Sequence, residues 1–217
     1  MVHKPPRLDR PVVLLDIDGT LGDYHGHFRR CAAMYTGRSE ILQRMPGASF
    51  ARSLGMGKHL YREIKLAYRR GGWKRSMPVF PGASELTRVV RKRATVVLVT
   101  TRPWLSHDNI DKDTIAWCRR NRIAYDYLLY GDPHKYVKAV RQYAPWPGDA
   151  VAALDDLPEM ILQAQEVGVT RPLLIHRSHN ADGFDLPLSI ERVFSLKEAG
   201  EIILEEIAGW YSRRKVT

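Results

Sequence analysis

The sequence predicts an α/β fold: a parallel sheet flanked by helices, with a helical segment inserted after the first strand. Three observations carry that reading. Val12–Leu15, Thr95–Val99 and Val151–Leu154 are short, continuous apolar runs, and the first two are rich in β-branched residues, as suits strands buried on both faces. Helical patterns stand between such runs, and strands alternating with helices imply crossover units in a parallel sheet. Finally, Asp16 and Asp18, Thr100 and Thr101, and Asp155 and Asp156 follow directly on those runs, at the strand ends where such sheets bind ligands.

In chain order, Arg7 and the prolines before Val12 form an irregular lead-in. The first strand ends in Asp16-Ile17-Asp18-Gly19-Thr20. Residues two apart on an extended chain face the same way, so both acids can address one small volume. Gly19 permits a sharp turn whose backbone N–H groups can hold an anion. Tyr24–Tyr35 then predicts a helix, weakened at its start by Gly26. Gly37, Pro46 and Gly47 interrupt it, and Ser53–Gly57 is expected to be flexible. His59–Arg70 is a better helix, with Leu60, Ile64 and Ala67 or Tyr68 at helical spacing, stopped by Gly71-Gly72. No sheet strand is expected from Leu21 to Val79.

Phe80-Pro81-Gly82-Ala83-Ser84 restarts the main body. Leu86, Val89 and Val90 make the apolar face of a helix whose other side carries Arg88, Arg91, Lys92 and Arg93, an ordinary solvated face. The second strand, Thr95–Val99, leads to Thr100-Thr101-Arg102-Pro103. A helix over Asp111–Asn121, a strand over Ala124–Tyr130 and a helix over His134–Gln142 follow, the last stopped near Pro145 and Pro147. Val151–Leu154 is a strand ending in Asp155-Asp156, and Pro158–Val167 a helix closed by Gly168. Leu173–Ile175 is the last expected strand, and Leu196–Tyr211 the terminal helix, with Ile202, Ile203 and Ile207 on its apolar side. Arg213–Thr217 is expected to be a disordered tail.

A chain of 217 residues holds one core with a modest insertion, here residues 1–20 and 80–217 with 21–79 inserted. Its 44% hydrophobic and 27% charged residues exclude a disordered chain. No apolar run approaches the roughly 20 residues that cross a bilayer, and Met1–Arg10 is too polar for a secretory signal. Cys31 and Cys118 lack metal-ligand spacing and read as reduced core thiols of a cytoplasmic protein. A net charge of +10 favours anionic partners, nucleic acid among them. The excess is spread along the chain, at Arg29-Arg30, Arg69-Arg70, Arg119-Arg120 and elsewhere, with no aromatic-basic RNA motif or zinc finger. Nothing in the sequence sets an oligomeric state.

Taken singly, an Asp-Gly turn, a strand-ending Thr, a Lys opening a helix and an acid pair before Pro158 are ordinary structural features. In this order they are more specific. Asp16-x-Asp18-Gly19-Thr20 behind an apolar strand resembles the first motif of the haloacid-dehalogenase-like (HAD) superfamily. Val96–Thr100 resembles the second motif, Lys135 (with Lys138 as the spare) the third, and Leu154-Asp155-Asp156 the fourth. The resemblance implies a three-layer Rossmann-like core. It also implies a phosphatase in which Asp16 is the nucleophile, Asp18 the general acid/base, and Thr100 and Lys135 the groups that bind the phosphoryl charge. Clustered acids beside a phosphate repel by about 4 kcal/mol per pair at 4 Å in an effective dielectric of 20. Hard oxygen ligands without a His or Cys cluster point to Mg²⁺. The ligands implied are Asp16, the Asp18 carbonyl and Asp155, with Asp156 beside them.

The insertion, the Met77–Ala83 return, Thr100-Thr101 and Gly131–Lys135 resemble the 5′(3′)-deoxyribonucleotidases in layout. That resemblance implies a cap over the site and a nucleoside monophosphate substrate. Thr101, Arg102, Gly19 and Trp73, with Phe28 and Tyr24 behind Trp73, are then the substrate-binding candidates. Two alternatives stay open: a polynucleotide 3′-phosphatase, which the basic charge suits, and a HAD-like binding module without turnover.

Overall fold

The computed structural model describes residues 9–44, 50–101, 109–131, 134–181 and 186–214. Its elements are β1 (Val12–Asp16), α1 (Tyr24–Thr36), α2 (Phe50–Ser53), α3 (Lys58–Arg70), α4 (Ala83–Arg93), β2 (Thr95–Thr100) and α5 (Ile110–Arg120). They continue with β3 (Tyr127–Tyr130), α6 (Lys135–Tyr143), β4 (Ala150–Asp155), α7 (Pro158–Glu166), β5 (Arg171–Ile175), β6 (Glu191–Val193) and α8 (Leu196–Arg214). The strands form one parallel sheet in the order β3-β2-β1-β4-β5-β6, which is the α/β class the sequence predicts.

Alternation along β1 decides which helices cover which face. Val13, Leu15 and then Ile17 pack with Leu86 and Val90 of α4, Trp117 of α5 and Ile203 of α8. Val12 and Leu14 face the other way, onto Tyr136 and Ala139 of α6 and Ile161 and Ala164 of α7. A strand sandwiched like this needs apolar residues on both sides, which is why Val12–Leu15 reads as a run and not as an alternation.

Among the described residues, the stretch between β1 and α4 adds no strand to the sheet. Gly22 makes isolated bridges to Asp18 and to Val79, so the chain leaves and returns side by side. In between, α1 and α3 enclose a separate apolar cluster of Phe28, Cys31, Ala32, Ile41, Leu54, Ile64 and Tyr68. Asp23 caps α1 by accepting the Gly26 N–H at 2.8 Å. A turn of three-ten helix, Trp73–Ser76, closes the insertion. It is tied to α5 twice: Trp117 Nε1 donates to the Met77 carbonyl at 2.7 Å, and Arg75 pairs with the buried Asp113.

The edges differ from the sequence reading. β3 begins at Tyr127, β5 begins at Arg171, and β5 is not the last strand. β6 adds three residues beside it, too few to carry a periodic signal. Ser53 closes α2 and so belongs to a helix, not to a flexible patch. α8 runs on to Arg214, because Arg214 lies 4.3 Å over the Trp210 ring and reaches Asp149 at 3.2 Å. Those contacts order residues that composition alone marks as tail; Lys215–Thr217 lie outside the described residues. No described helix is long and apolar enough to cross a membrane.

Cys31 and Cys118 are both buried, and neither is in a disulfide. Burial pushes the Cys31 thiol up to about 11, so little thiolate forms at neutral pH. Native protein at pH 8 should therefore alkylate at Cys31 only slowly, and rapidly once denaturant is added. Fast labelling of Cys31 in the native state, followed by mass spectrometry, would contradict this packing.

Candidate active site

β1 lies between β2 and β4, so Asp16, Thr100 and Asp155 are the last residues of three adjacent strands. Asp16 shares the parity of Leu14 and so belongs to the α6 face. There the first residue of α6, Lys135, places Nζ 2.6 Å from Asp16 Oδ1 and 2.6 Å from Asp155 Oδ2. All three side chains are buried, whereas Lys138 is exposed. Lys135 is therefore the lysine that meets the acids. Gly131 makes this approach feasible, since a Cβ there would stand 2.9 Å from the Lys135 Cα.

The three acids have different surroundings. Asp155 is fully engaged: Oδ2 also accepts from the Tyr136 hydroxyl at 2.9 Å, and Oδ1 accepts the Leu157 N–H at 2.9 Å. Asp16 Oδ2 is buried with no hydrogen-bond partner. Asp156 Oδ1 accepts from Thr20 Oγ1 at 3.1 Å, and its Oδ2 lies 2.8 Å from His179 Nε2. Burial, opposed by Lys135 and reinforced by Asp155 and Asp156, lifts the Asp16 pKa to about 7. Burial also raises Asp155 against the pull of Lys135. For Asp156 burial works upward too, but the His179 hydrogen bond and the charges of His25 and His179 hold it below the usual carboxylate range. Lys135 is held above its ordinary value, burial being outweighed by Asp155 and Asp16.

Three carboxylates around one lysine leave negative charge uncompensated. Ligand oxygens of Asp16, Asp155 and Asp156 all lie within 4.8 Å of one another. That spacing, the orphaned Asp16 Oδ2 and the all-oxygen donor set fit a hard divalent cation.

Around this centre the structure places the remaining sequence candidates. Asp18 is partly exposed and pairs with Lys74, a buried lysine of the insertion that also donates to Met77 Sδ at 3.2 Å and lies 5.3 Å from the Tyr24 ring centre. Gly19 has φ +97°, and a Cβ there would come 2.0 Å from Asp156 Oδ2, so only glycine lets the turn pass this close. The Gly19 N–H is not left for an anion, as the sequence suggested, because the turn itself uses it to reach the Gly22 carbonyl at 2.8 Å. Thr100 is buried and Thr101 half-buried, just past β2. Arg102 lies outside the described residues. Trp73 sits in the aromatic cluster of the insertion, 5.4 Å from His27 and 6.4 Å from Tyr68 between ring centres, with Phe28 and Tyr24 in the same cluster.

Several groups at the site carried no local signal in the sequence. Besides Lys74, Arg177 donates to the carbonyls of Gly19 at 2.7 Å and Thr20 at 3.0 Å, clamping the acidic turn from beyond β5. Its guanidinium lies 3.9 Å from the Phe80 ring centre. His25 and His179 approach to 4.3 Å between ring centres beside Asp156. Burial, reinforced by the neighbouring His179 and opposed by Asp156, lowers His25 to about 4.

No protein-family profile and no curated protein matches the chain by sequence. Solved structures do match in fold. A defluorinating L-2-haloacid dehalogenase superimposes with a TM-score of 0.59 at 11% identity, covering 90% of this chain and 95% of that one. CbbY of Rhodobacter sphaeroides, in complex with xylulose-1,5-bisphosphate, gives 0.58 at 20% identity over 88% and 98%. A HAD-superfamily hydrolase of subfamily IA from Geobacter sulfurreducens gives 0.58 at 14% identity over 89% and 96%. The chain thus has the fold of HAD-superfamily hydrolases, and it spans nearly the whole of each of these neighbours.

Removing Lys135 tests the charge balance. Lys135→Met would leave Asp16 and Asp155 buried without their counter-ion, a loss of about 3–5 kcal/mol for a broken buried pair. Urea unfolding in EDTA should show that loss, and an unchanged midpoint would mean the acids do not depend on Lys135.

Proposed function

We propose that the protein is a Mg²⁺-dependent phosphomonoester hydrolase that works through an aspartyl-phosphate on Asp16. One observation carries this reading: Asp16, gripped at one oxygen by Lys135, presents its other oxygen unpartnered beside Asp155 and Asp156. A carboxylate held in this way is fixed in direction yet keeps an oxygen for attack. The HAD-type fold supports a hydrolase, and its neighbours include both CbbY in complex with a sugar bisphosphate and a haloacid dehalogenase.

Asp16 attacks phosphorus in line, and Asp18 gives a proton to the departing alkoxide. Asp18 then takes a proton from the water that hydrolyses the intermediate. An alkoxide leaving group needs such an acid and a halide does not, so Asp18 favours a phosphatase over a dehalogenase. Lys135 offsets charge on Asp16 and the phosphoryl group, and Thr100 donates a hydrogen bond to it. Asp16, Asp156 and the Asp18 carbonyl would hold the Mg²⁺, which supplies further charge neutralisation when bound. Asp155, its oxygens taken by Lys135, Tyr136 and Leu157, serves mainly to position the lysine.

For the substrate we take a (deoxy)nucleoside monophosphate. The helical insertion reaches the site directly through Lys74 on Asp18, and a lid so close to the chemistry favours small esters over polymers. Thr101, Arg102 and Gly19 are the candidates for binding phosphate and Trp73 for binding the base. Buried thiols outside any disulfide suit a reducing compartment, the cytoplasm. The net charge of +10 favours a second reading, a 3′-phosphatase acting on DNA or RNA ends.

Nucleoside monophosphates, 3′-phosphorylated oligonucleotides and an aryl phosphate, each with Mg²⁺ or EDTA, separate these readings. Mg²⁺-dependent release of phosphate from the mononucleotides is expected. Turnover confined to oligonucleotides would replace the nucleotidase reading, and turnover of none would leave a binding module. Asp16→Asn should abolish turnover in a chain that keeps its circular dichroism, and substantial residual activity would remove Asp16 from the nucleophile role.

A further inference from the structure

His25, Asp156 and His179 converge from three separate parts of the chain: α1 of the insertion, the end of β4, and the turn after β5. One ligand atom from each lies within 4.8 Å of the other two. The carboxylate is held in place before any ion arrives. Thr20 occupies Oδ1 at 3.1 Å, and Asn180 Nδ2 holds the Asp156 carbonyl at 2.7 Å. Oδ2 is left facing His179 Nε2 at 2.8 Å, and among the described residues no other donor reaches that buried oxygen. The bare Cα of Gly19 provides the room, since any side chain would fill it. On the outer side, Tyr24 and Phe50 hold the His25 ring edge-on, at 5.6 and 4.7 Å between centres.

We propose that these three residues form a second metal site, distinct in chemistry from the oxygen cluster, which takes a divalent transition ion such as Zn²⁺. Two imidazoles and a carboxylate suit zinc and its neighbours, whereas Mg²⁺ selects oxygen donors. Three protein ligands leave a further position for water or a substrate group. Because His25 belongs to the insertion while Asp156 and His179 belong to the sheet side, the ion ties the insertion to the core. Because Asp156 also belongs to the Asp16–Asp155–Asp156 cluster, occupancy of the two sites is coupled through one carboxylate. This site does not depend on the proposed reaction.

Cobalt(II) serves as the spectroscopic probe for the zinc-type site. The full chain, stripped with EDTA and supplied with excess Mg²⁺ to fill the oxygen cluster, is titrated with Co²⁺ and followed by visible absorption. One equivalent should bind, zinc should displace it, and proton NMR should show two cobalt-shifted imidazole N–H signals. His25→Gln and His179→Gln should each weaken binding by roughly ten-fold or more and remove one signal. His59→Gln, on an exposed side chain of α3, should change neither, and Asp16→Asn should retain the cobalt. The NMR count separates loss of a ligand from loss of fold. Absence of binding at millimolar cobalt, binding that both histidine variants keep, or binding that Asp16→Asn alone abolishes would overturn the site.

Discussion

Everything at the carboxyl edge of the sheet depends on Lys135 standing between Asp16 and Asp155. Buried carboxylates cost several kcal/mol each unless a counter-charge meets them at close range. The fold supplies that counter-charge through topology. β1 is central, β4 is its neighbour, and the crossover from β3 to β4 runs through a helix whose first residue is the lysine. Gly131 lets that helix begin against the end of β3, and Tyr136, one residue on, donates to the same Asp155 oxygen. Sheet order, helix start and charge balance are thus one arrangement.

The single lysine does not finish the neutralisation, and what remains shapes the rest of the site. Asp16 keeps one orphaned oxygen, and Asp156 recruits Thr20, Asn180 and His179. Arg177 adds a second cation, placed on the carbonyls of the acidic turn and not on its carboxylates, so it fixes the turn without quenching the acids. The insertion adds a third, Lys74 on Asp18. Asp16 and Asp155 thus share Lys135, while Asp156 meets Thr20 and His179 and Asp18 meets Lys74, so neighbouring carboxylates stand in different surroundings.

What the sequence disclosed follows from how far each signal reaches. The buried strands and the acids at their ends are local patterns, a few residues long, and they are legible without coordinates. Lys135 is legible because it opens a helix at a spacing shared with a known motif; that Lys138 is the exposed one follows from helix phase, which the start of α6 sets. By contrast, Lys74 reaches Asp18, Arg177 the carbonyls of the acidic turn, and His25 and His179 Asp156 only through tertiary packing, which no local pattern around them announces. β6 and the last turn of α8 give no sequence signal for a related reason: a flanking strand and a stacked Trp210–Arg214 pair hold them, not propensity. Gly19 makes the tight turn its sequence predicts, but the turn's own hydrogen bond to Gly22 uses the Gly19 N–H and leaves it unavailable to an anion.

On the proposed reading, the buried acids on this edge accept a hard cation next to Asp16, which Lys135 anchors. Calorimetric titration of the EDTA-stripped protein with Mg²⁺, in parallel with Asp16→Asn, tests it most directly. Saturable binding of one ion by the native chain, strongly weakened by Asp16→Asn, is the predicted result. No heat of binding in the native chain, or equal binding by the variant, would contradict it.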